Sequence, residues 1–281
     1  MNKIIKKEEI ADKIKRIEVF ADLIAKKALP GQFVILRVDE KGERIPLTIA
    51  GIDKEKGAIT LIFQEVGTST TKLGLLNEGD EICDIAGPLG KPTEIENYGE
   101  VCIIVGGVGA AFVYWMGKAF KEKGNIITTI IGARTKNLII LEKEMRQISD
   151  KLYISTDDGS YGEKGFNTYI LERLLENGKK FDLVLTAGPI PMMKKVAEIT
   201  KKYNIKTIAS LNPIMVDGTG MCGCCRVSVG GKTKFACVDG PDFDAHMVDF
   251  DELLKRTSLY KEYEKLSYEK FLLSRQSDLK K

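Results

Sequence analysis

The sequence predicts an N-terminal antiparallel β-barrel and a parallel α/β domain, closed by a cysteine-bearing hairpin and a helical tail. Three observations carry that fold class. Short β-rich runs separated by turn residues fill the first third of the chain. Apolar runs then alternate with helical patterns through the middle. Near the end, four of the six cysteines fall within sixteen residues.

Residues 1–97 read as the barrel. β-rich runs stand at Ile14–Phe20, Phe33–Val38, Ile45–Ile52, Ala58–Val66 and Glu81–Ile85. Turn chemistry at Pro30-Gly31, Asp53–Gly57 and Gly79-Asp80 separates them, and short strands at this spacing close into a small barrel. Residues 98–211 change rhythm. Strand-like runs Val101–Val105, Ile126–Ile131, Leu152–Ser155, Leu183–Leu185 and Thr207–Leu211 alternate with helical patterns over Ala110–Lys121, Leu138–Ser149, Thr168–Asn177 and Pro191–Tyr203. Strict alternation means a parallel sheet with right-handed crossovers. Residues 212–245 hold the cysteine loop and a hairpin, Arg226–Val229 and Thr233–Val238 joined by Gly230-Gly231. Residues 246–281 form a charged helical tail whose leucines and aromatics either pack on the chain itself or dock a partner.

Composition narrows the function classes. Lys+Arg 43 against Asp+Glu 40 gives a net charge of +3 with no basic block, which argues against nucleic-acid binding. The N-terminus lacks an apolar leader core and no run reaches the eighteen or so apolar residues of a membrane span, so the expectation is a cytoplasmic protein. In a reducing compartment, clustered cysteines signal metal or redox chemistry more than disulfides. Cys83 and Cys102 stand in apolar segments and are expected in the core. A single histidine, His246, disfavours histidine-based metal sites and acid–base machinery.

The first parallel strand ends in Gly106, Gly107, Val108, Gly109 and Ala110 and runs into a helix. Glycines at such a corner let the backbone approach a pyrophosphate, whose charge the helix N-terminus meets. They also serve simple strand–helix packing; their place in the first βα unit favours the nucleotide. Three further strand ends carry Arg134, the run Thr156, Asp157, Asp158 and Gly159, and the pair Gly188 and Pro189. In an open parallel sheet all of them ring one crevice. For residues 156–159 the alternatives are a capped turn or contact with ribose and nicotinamide.

In the barrel, Arg44, Pro46, Leu47 and Thr48 make a compact flavin candidate: a guanidinium for a diphosphate and a hydroxyl for the ring edge. Gly67, Thr68, Ser69, Thr70 and Thr71 precede a short helix and suit a phosphate. A surface arginine and a plain N-cap are the corresponding structural alternatives.

Asp217, Cys222, Cys225 and Cys237 reproduce the plant-type [2Fe–2S] spacing with a carboxylate in the first slot. A structural zinc site, making the protein a non-enzymatic binding module, is the competing reading. Cys224 in place of Asp217 is another. Glycines 218, 220 and 223 favour the cluster, because its sulfides accept backbone N–H bonds from such loops.

The order of these parts resembles the ferredoxin–NADP reductase superfamily over about residues 1–245, in the branch containing the electron-transfer subunit of dihydroorotate dehydrogenase. The resemblance implies FAD on the barrel, with Arg44 at its pyrophosphate and Thr48 near the flavin. It also implies NAD(H) on the parallel domain and [2Fe–2S] at the cysteine loop. Three positions depart from the common pattern. Leu47 replaces an aromatic, Ala187-Gly188 replaces Cys-Gly, and Asp217 replaces the first cluster cysteine. Asp217 and the stretch GPIPMM at 188–193 closely resemble the small-subunit family of NADH-dependent ferredoxin:NADP+ oxidoreductase, an electron-bifurcating transhydrogenase. That family implies a larger glutamate-synthase-like flavoprotein partner carrying a second FAD and [4Fe–4S] clusters, with ferredoxin reached through that partner. The same likeness favours NADH, although Arg134 is a candidate for a 2′-phosphate.

Overall fold

The computed structural model describes residues 2–278. The first sheet is antiparallel and nearly closes on itself. Its strands are β1 (Asn2–Ala11), β2 (Ile14–Phe20), β3 (Phe33–Arg37), β4 (Arg44–Asp53), β5 (Ala58–Gln64), β6 (Glu81–Ile82) and β7 (Asp84–Leu89), in the order β6-β1-β2-β5-β4-β3-β7. Helices α1 (Asp22–Lys27) and α2 (Thr68–Leu75) lie in its connections. Inward residues such as Ile17, Leu36, Ile59, Leu61 and Phe63 fill the barrel. Alternation of side chains along each strand puts them there, and each such burial contributes about 1.5–3 kcal/mol.

Two barrel features depart from expectation. β1 has no strand signature in the sequence, because its charge-rich run exposes half of its side chains and buries only Ile4 fully. It is fixed by its ladder to β2 instead. The run Glu81–Ile85 is broken at Cys83, which lies between β6 and β7 and is exposed, not buried. Its thiol accepts from Arg37 at 3.6 Å.

The second sheet contains β8 (Glu100–Gly106), β9 (Ile126–Ala133), β10 (Lys151–Thr156), β11 (Glu163–Lys164), β12 (Leu183–Ala187) and β13 (Lys206–Ser210), all parallel. Helices α3 (Gly109–Glu122), α4 (Glu142–Ile148), α5 (Asn167–Glu176) and α6 (Ile190–Lys202) cover its two faces. The expected helix over Leu138–Ser149 is shorter: Leu141 adopts φ 56°, a left-handed conformation that no helix continues through. Cys102 is buried between the sheet and its helices, as expected.

The cysteine segment forms the hairpin β14 (Arg226–Val229) and β15 (Lys232–Phe235), the single turn α7 (Ala236–Asp239) and the strand β16 (Asp242–Asp244). The hairpin's second arm ends before Cys237, which sits on α7. β16 then adds antiparallel to β13, so residues beyond 211 complete the edge of the nucleotide sheet. A third core, including Phe33 of the barrel, Met215, Cys225, Cys237 and Phe243, joins all three parts. The tail comprises α8 (Phe250–Ser258), held to α6 by Lys194–Asp251 at 2.7 Å, and α9 (Lys261–Asp278). Among the described residues no helix is long and apolar enough to cross a membrane.

Candidate functional site

A cavity of about 860 Å³ opens at the carboxyl ends of the parallel strands. The glycine corner between β8 and α3 forms one wall. Gly107 has φ +54° and open space where a Cβ would stand, so its backbone faces the cavity bare. Gly109 has the opposite reason: a Cβ there would lie 2.4 Å from the Ala187 carbonyl oxygen, so the helix start packs directly on β12. Val108 lines the cavity, while Ala110 is fully buried behind it. Gly188 and Pro189 form the facing wall.

The loop after β10 divides. Asp157 lines the cavity. Thr156 is buried; its hydroxyl donates to the Tyr161 carbonyl at 2.8 Å and accepts from the Tyr161 amide at 3.0 Å. Asp158 accepts the Ser160 amide and hydroxyl, which hold its carboxyl below the usual carboxylate range. Gly159 turns at φ +77°. Those three residues build the turn that presents Asp157. Arg134 and Lys195 add positive charge to the same cavity, and among the described residues neither has an ion-pair partner.

Sequence reasoning missed Phe166, Asn167, Tyr169, Lys195 and Asn212, which also line this space. Phe166 and Tyr169 are exposed and meet edge to face with centroids 5.6 Å apart. Exposed aromatics beside a cavity were the only available signal, and that needs the fold. Asn167 is buried and donates to the Val105 carbonyl at 2.9 Å.

A smaller cavity of about 190 Å³ lies between barrel and sheet, lined by Pro46, Leu47, Thr48 and Thr70 from the barrel. It shares Gln64, Val66, Val108, Phe112, Ser210 and Asn212 with the larger one. Ligands in the two spaces therefore meet across one set of side chains. Arg44 is exposed at the start of β4 and lines neither cavity. Gly67 precedes α2, where Thr70 accepts the Gly67 amide at 3.1 Å, and Ser69 donates to Glu43. Thr68 and Thr71 instead meet the tail helix.

In the cysteine loop, the buried Cys225 and Cys237 sulfurs are 3.1 Å apart, and burial followed by that contact pushes the Cys237 thiol up to about 12. Cys222 is exposed and Cys224 half-buried. Arg256 of α8 donates to the Cys224 carbonyl at 3.3 Å, bracing the loop from outside. Asp217 turns into its own loop, accepting from the Thr219 and Cys222 amides at 2.9 and 3.1 Å, which hold its pKa below the usual range. Among the described residues no three His, Cys, Asp or Glu side chains close on one point: Cys222 is exposed while Cys225 and Cys237 are buried, and the Asp217 carboxylate is engaged by amides. By donor chemistry the set still fits a cluster: the Cys225 and Cys237 thiols are already in contact, and Cys222 stands three residues before Cys225.

Residues 212–249 match the family described as the iron-sulfur cluster binding domain of dihydroorotate dehydrogenase B. Over 272 residues, 97% of this chain and 96% of the relative, the sequence is 50% identical to a dihydroorotate dehydrogenase B (NAD(+)) electron transfer subunit homolog of Thermotoga maritima. The chain belongs to the dihydroorotate dehydrogenase B electron-transfer subunit family. An electron transfer subunit of Shouchella clausii is 33% identical over 85% of this chain and 94% of its own. A chain from the structure of the NADH-dependent reduced ferredoxin-NADP oxidoreductase, an enzyme of flavin-based electron bifurcation, superimposes with a TM-score of 0.91. It is 50% identical and covers 97% of this chain and 98% of its own. As a member of this family the protein is an electron-transfer oxidoreductase subunit that uses FAD, NAD(H) and a [2Fe–2S] cluster, and it works with a larger catalytic subunit. The zinc-module reading is set aside by the same matches.

Proposed function

We propose that this chain is the NADH-oxidising small subunit of an electron-bifurcating NADH-dependent ferredoxin:NADP+ oxidoreductase. The observation that carries the reading is the shared wall between the two cavities, with Val108 and Phe112 between the strand-end space and the barrel space. Bound FAD would supply hydride exchange with NAD(H) and single-electron transfer to a [2Fe–2S] cluster.

The chain's own contribution is placement. Gly107 and the start of α3 receive the dinucleotide's pyrophosphate, and Asp157 faces the adenosine ribose. Thr48 holds the flavin edge, while Arg44 and the start of α2 take its diphosphate. Phe112 and Met215 help exclude water where the ligands meet. Asp217, Cys222, Cys225 and Cys237 would hold the cluster, which requires the Asp217 carboxylate to be released from its loop amides. Cys224 stays outside that set, because adjacent side chains at 224 and 225 do not both turn into one small cluster. The partner in this reading is a glutamate-synthase-like flavoprotein with a second FAD and [4Fe–4S] clusters, through which ferredoxin is reached.

Purification of the native complex tests the assignment. Expected are flavin, iron and sulfide in the small subunit and faster bleaching by NADH than by NADPH. Colourless protein with stoichiometric zinc would sink it. A second reading, the electron-transfer subunit of dihydroorotate dehydrogenase, is favoured by relatives that carry that name. Dihydroorotate oxidation by the purified complex would replace the first reading with the second.

A further inference from the structure

Helix α9 touches the rest of the molecule along one narrow stripe. Among its side chains described, only Tyr268, Phe271 and Arg275 are half-buried, at spacings of three and four that align them on one face. The stripe rests on α2. Thr71 donates its hydroxyl proton to the Tyr268 phenol oxygen at 3.3 Å, and the Thr68 and Ser267 hydroxyls lie 3.4 Å apart. Apolar burial does little to hold the helix, since Tyr263 is 71%, Leu266 54% and Leu273 66% exposed. Among the described residues the ion pair of α9, Lys265–Glu269, lies within the helix itself.

The place where α9 lands is the rim of the flavin's phosphate loop. The first-turn amides of α2 have no carbonyl within their own helix to bind. Gly67, just before them, has nothing within 4 Å of a Cβ position, so the approach is open. Thr70 of the same turn lines the smaller cavity beside Thr48. Because Thr71 is the donor, the phenol of Tyr268 accepts and keeps its own proton for another acceptor.

We propose that α9 is a strap over the FAD diphosphate. Ser267 and Tyr268 act as positioning residues that hold the Thr68 and Thr71 side chains at the start of α2, and the Tyr268 O–H, rather than the Thr71 hydroxyl whose proton is spent on it, joins Thr70 and the first-turn amides as a donor to the phosphates. The inference rests on placing FAD at this loop. It carries a thermodynamic consequence: if the seated tail tightens FAD by some factor, bound FAD must secure the tail by the same factor. Contacts of this kind each change an equilibrium by about two- to tenfold.

The test uses the full chain. With Tyr268→Phe, FAD should dissociate about three- to tenfold faster, followed as recovery of flavin fluorescence on dilution, and further faster when Ser267→Ala is added. The rise in Tm that FAD confers should shrink by more than any fall in the flavin-free Tm, which a merely structural role would not produce. Trypsin should cut at Lys261 and Lys265 more slowly with FAD present than without. Unchanged FAD release together with FAD-indifferent cleavage overturns the strap, and so does cleavage accelerated by FAD, which would make the tail a competitor. A wild-type chain that binds no FAD removes the flavin placement itself. Normal FAD retention with an indifferent tail removes only the strap.

Discussion

Asn167 stands so close to Gly132 that a Cβ at position 132 would lie 2.8 Å from its carboxamide. The missing side chain on β9 lets the start of α5 reach across the strand ends, where Asn167 bonds the Val105 carbonyl at 2.9 Å. That bond fixes the last residues of β8 just before the glycine corner. Gly132→Ala should therefore displace Asn167, at a cost of about 1–3 kcal/mol. Asn167→Leu should leave the Val105 carbonyl without its donor, at a similar cost. Both variants should weaken NADH binding, read by titration, beyond what their loss of Tm alone explains.

In the proposed reading the Asp217 carboxylate, which accepts two amides of its own loop, is a cluster ligand. Asp217→Cys should retain the cluster with an altered visible spectrum and potential. Asp217→Ala should lose most of it, as measured by iron content and electron paramagnetic resonance. If neither Asp217→Cys spectrum nor potential moves, Asp217 is not a ligand.

Discrimination between nicotinamide nucleotides should rest on Asp157, the carboxylate facing a cavity that also holds the unpaired Arg134. A 2′-phosphate close to a carboxylate costs about 1 kcal/mol even in water and more at a partly buried wall. Asp157→Ser should raise the NADPH/NADH ratio of kcat/KM by about five- to twentyfold. Arg134→Ala in that background should reverse the gain. A ratio that stays at the wild-type value places the ribose elsewhere.

Asp242 predicts a pH dependence. Its carboxyl accepts from Thr93 at 2.6 Å, its other oxygen is buried with no hydrogen-bond partner among the described residues, and burial raises its pKa. A raised pKa means that the folded state binds the proton more tightly than the unfolded chain. Stability from this group is thus complete below the unfolded value near 4 and falls as pH rises through the folded pKa. Asp242→Asn keeps the oxygen facing Thr93 and removes the charge. Thermal unfolding across pH 4–8 should show the variant gaining on wild type as pH rises. A constant difference in Tm would sink the argument.

The parallel domain was legible because both faces of its strands are buried, which writes each as an unbroken apolar run. The barrel was legible where strands alternate. It was not at β1, whose pairing is held by backbone ladders that charged side chains hide. Cys83 sits in an apolar stretch, yet the chain changes strands there and turns its thiol outward. The glycine corner announced itself because a backbone requirement restricts residue type. Phe166, Asn167 and Lys195 did not, since only tertiary packing brings the start of α5 and the first half of α6 to the cavity that the β8 corner opens. The sequence of the tail does not choose between packing and docking; its seat on α2 depends on two hydroxyl contacts that no periodicity encodes.

The cysteine segment is clamped from two directions. β16 is laced into the nucleotide sheet, and Gly218 lies where a Cβ would stand 2.6 Å from Leu89 and 3.0 Å from Ile35 of the barrel. A carrier on a hinge trades travel time against tunnelling distance and can serve stations far apart. A clamped one behaves as a fixed rung: its spacing to the flavin is settled when the chain folds. Throughput along such a ladder is then adjusted by driving force and by how closely the larger subunit seats against it, so variants that retune the relay without unfolding it must act on potential or docking, never on reach.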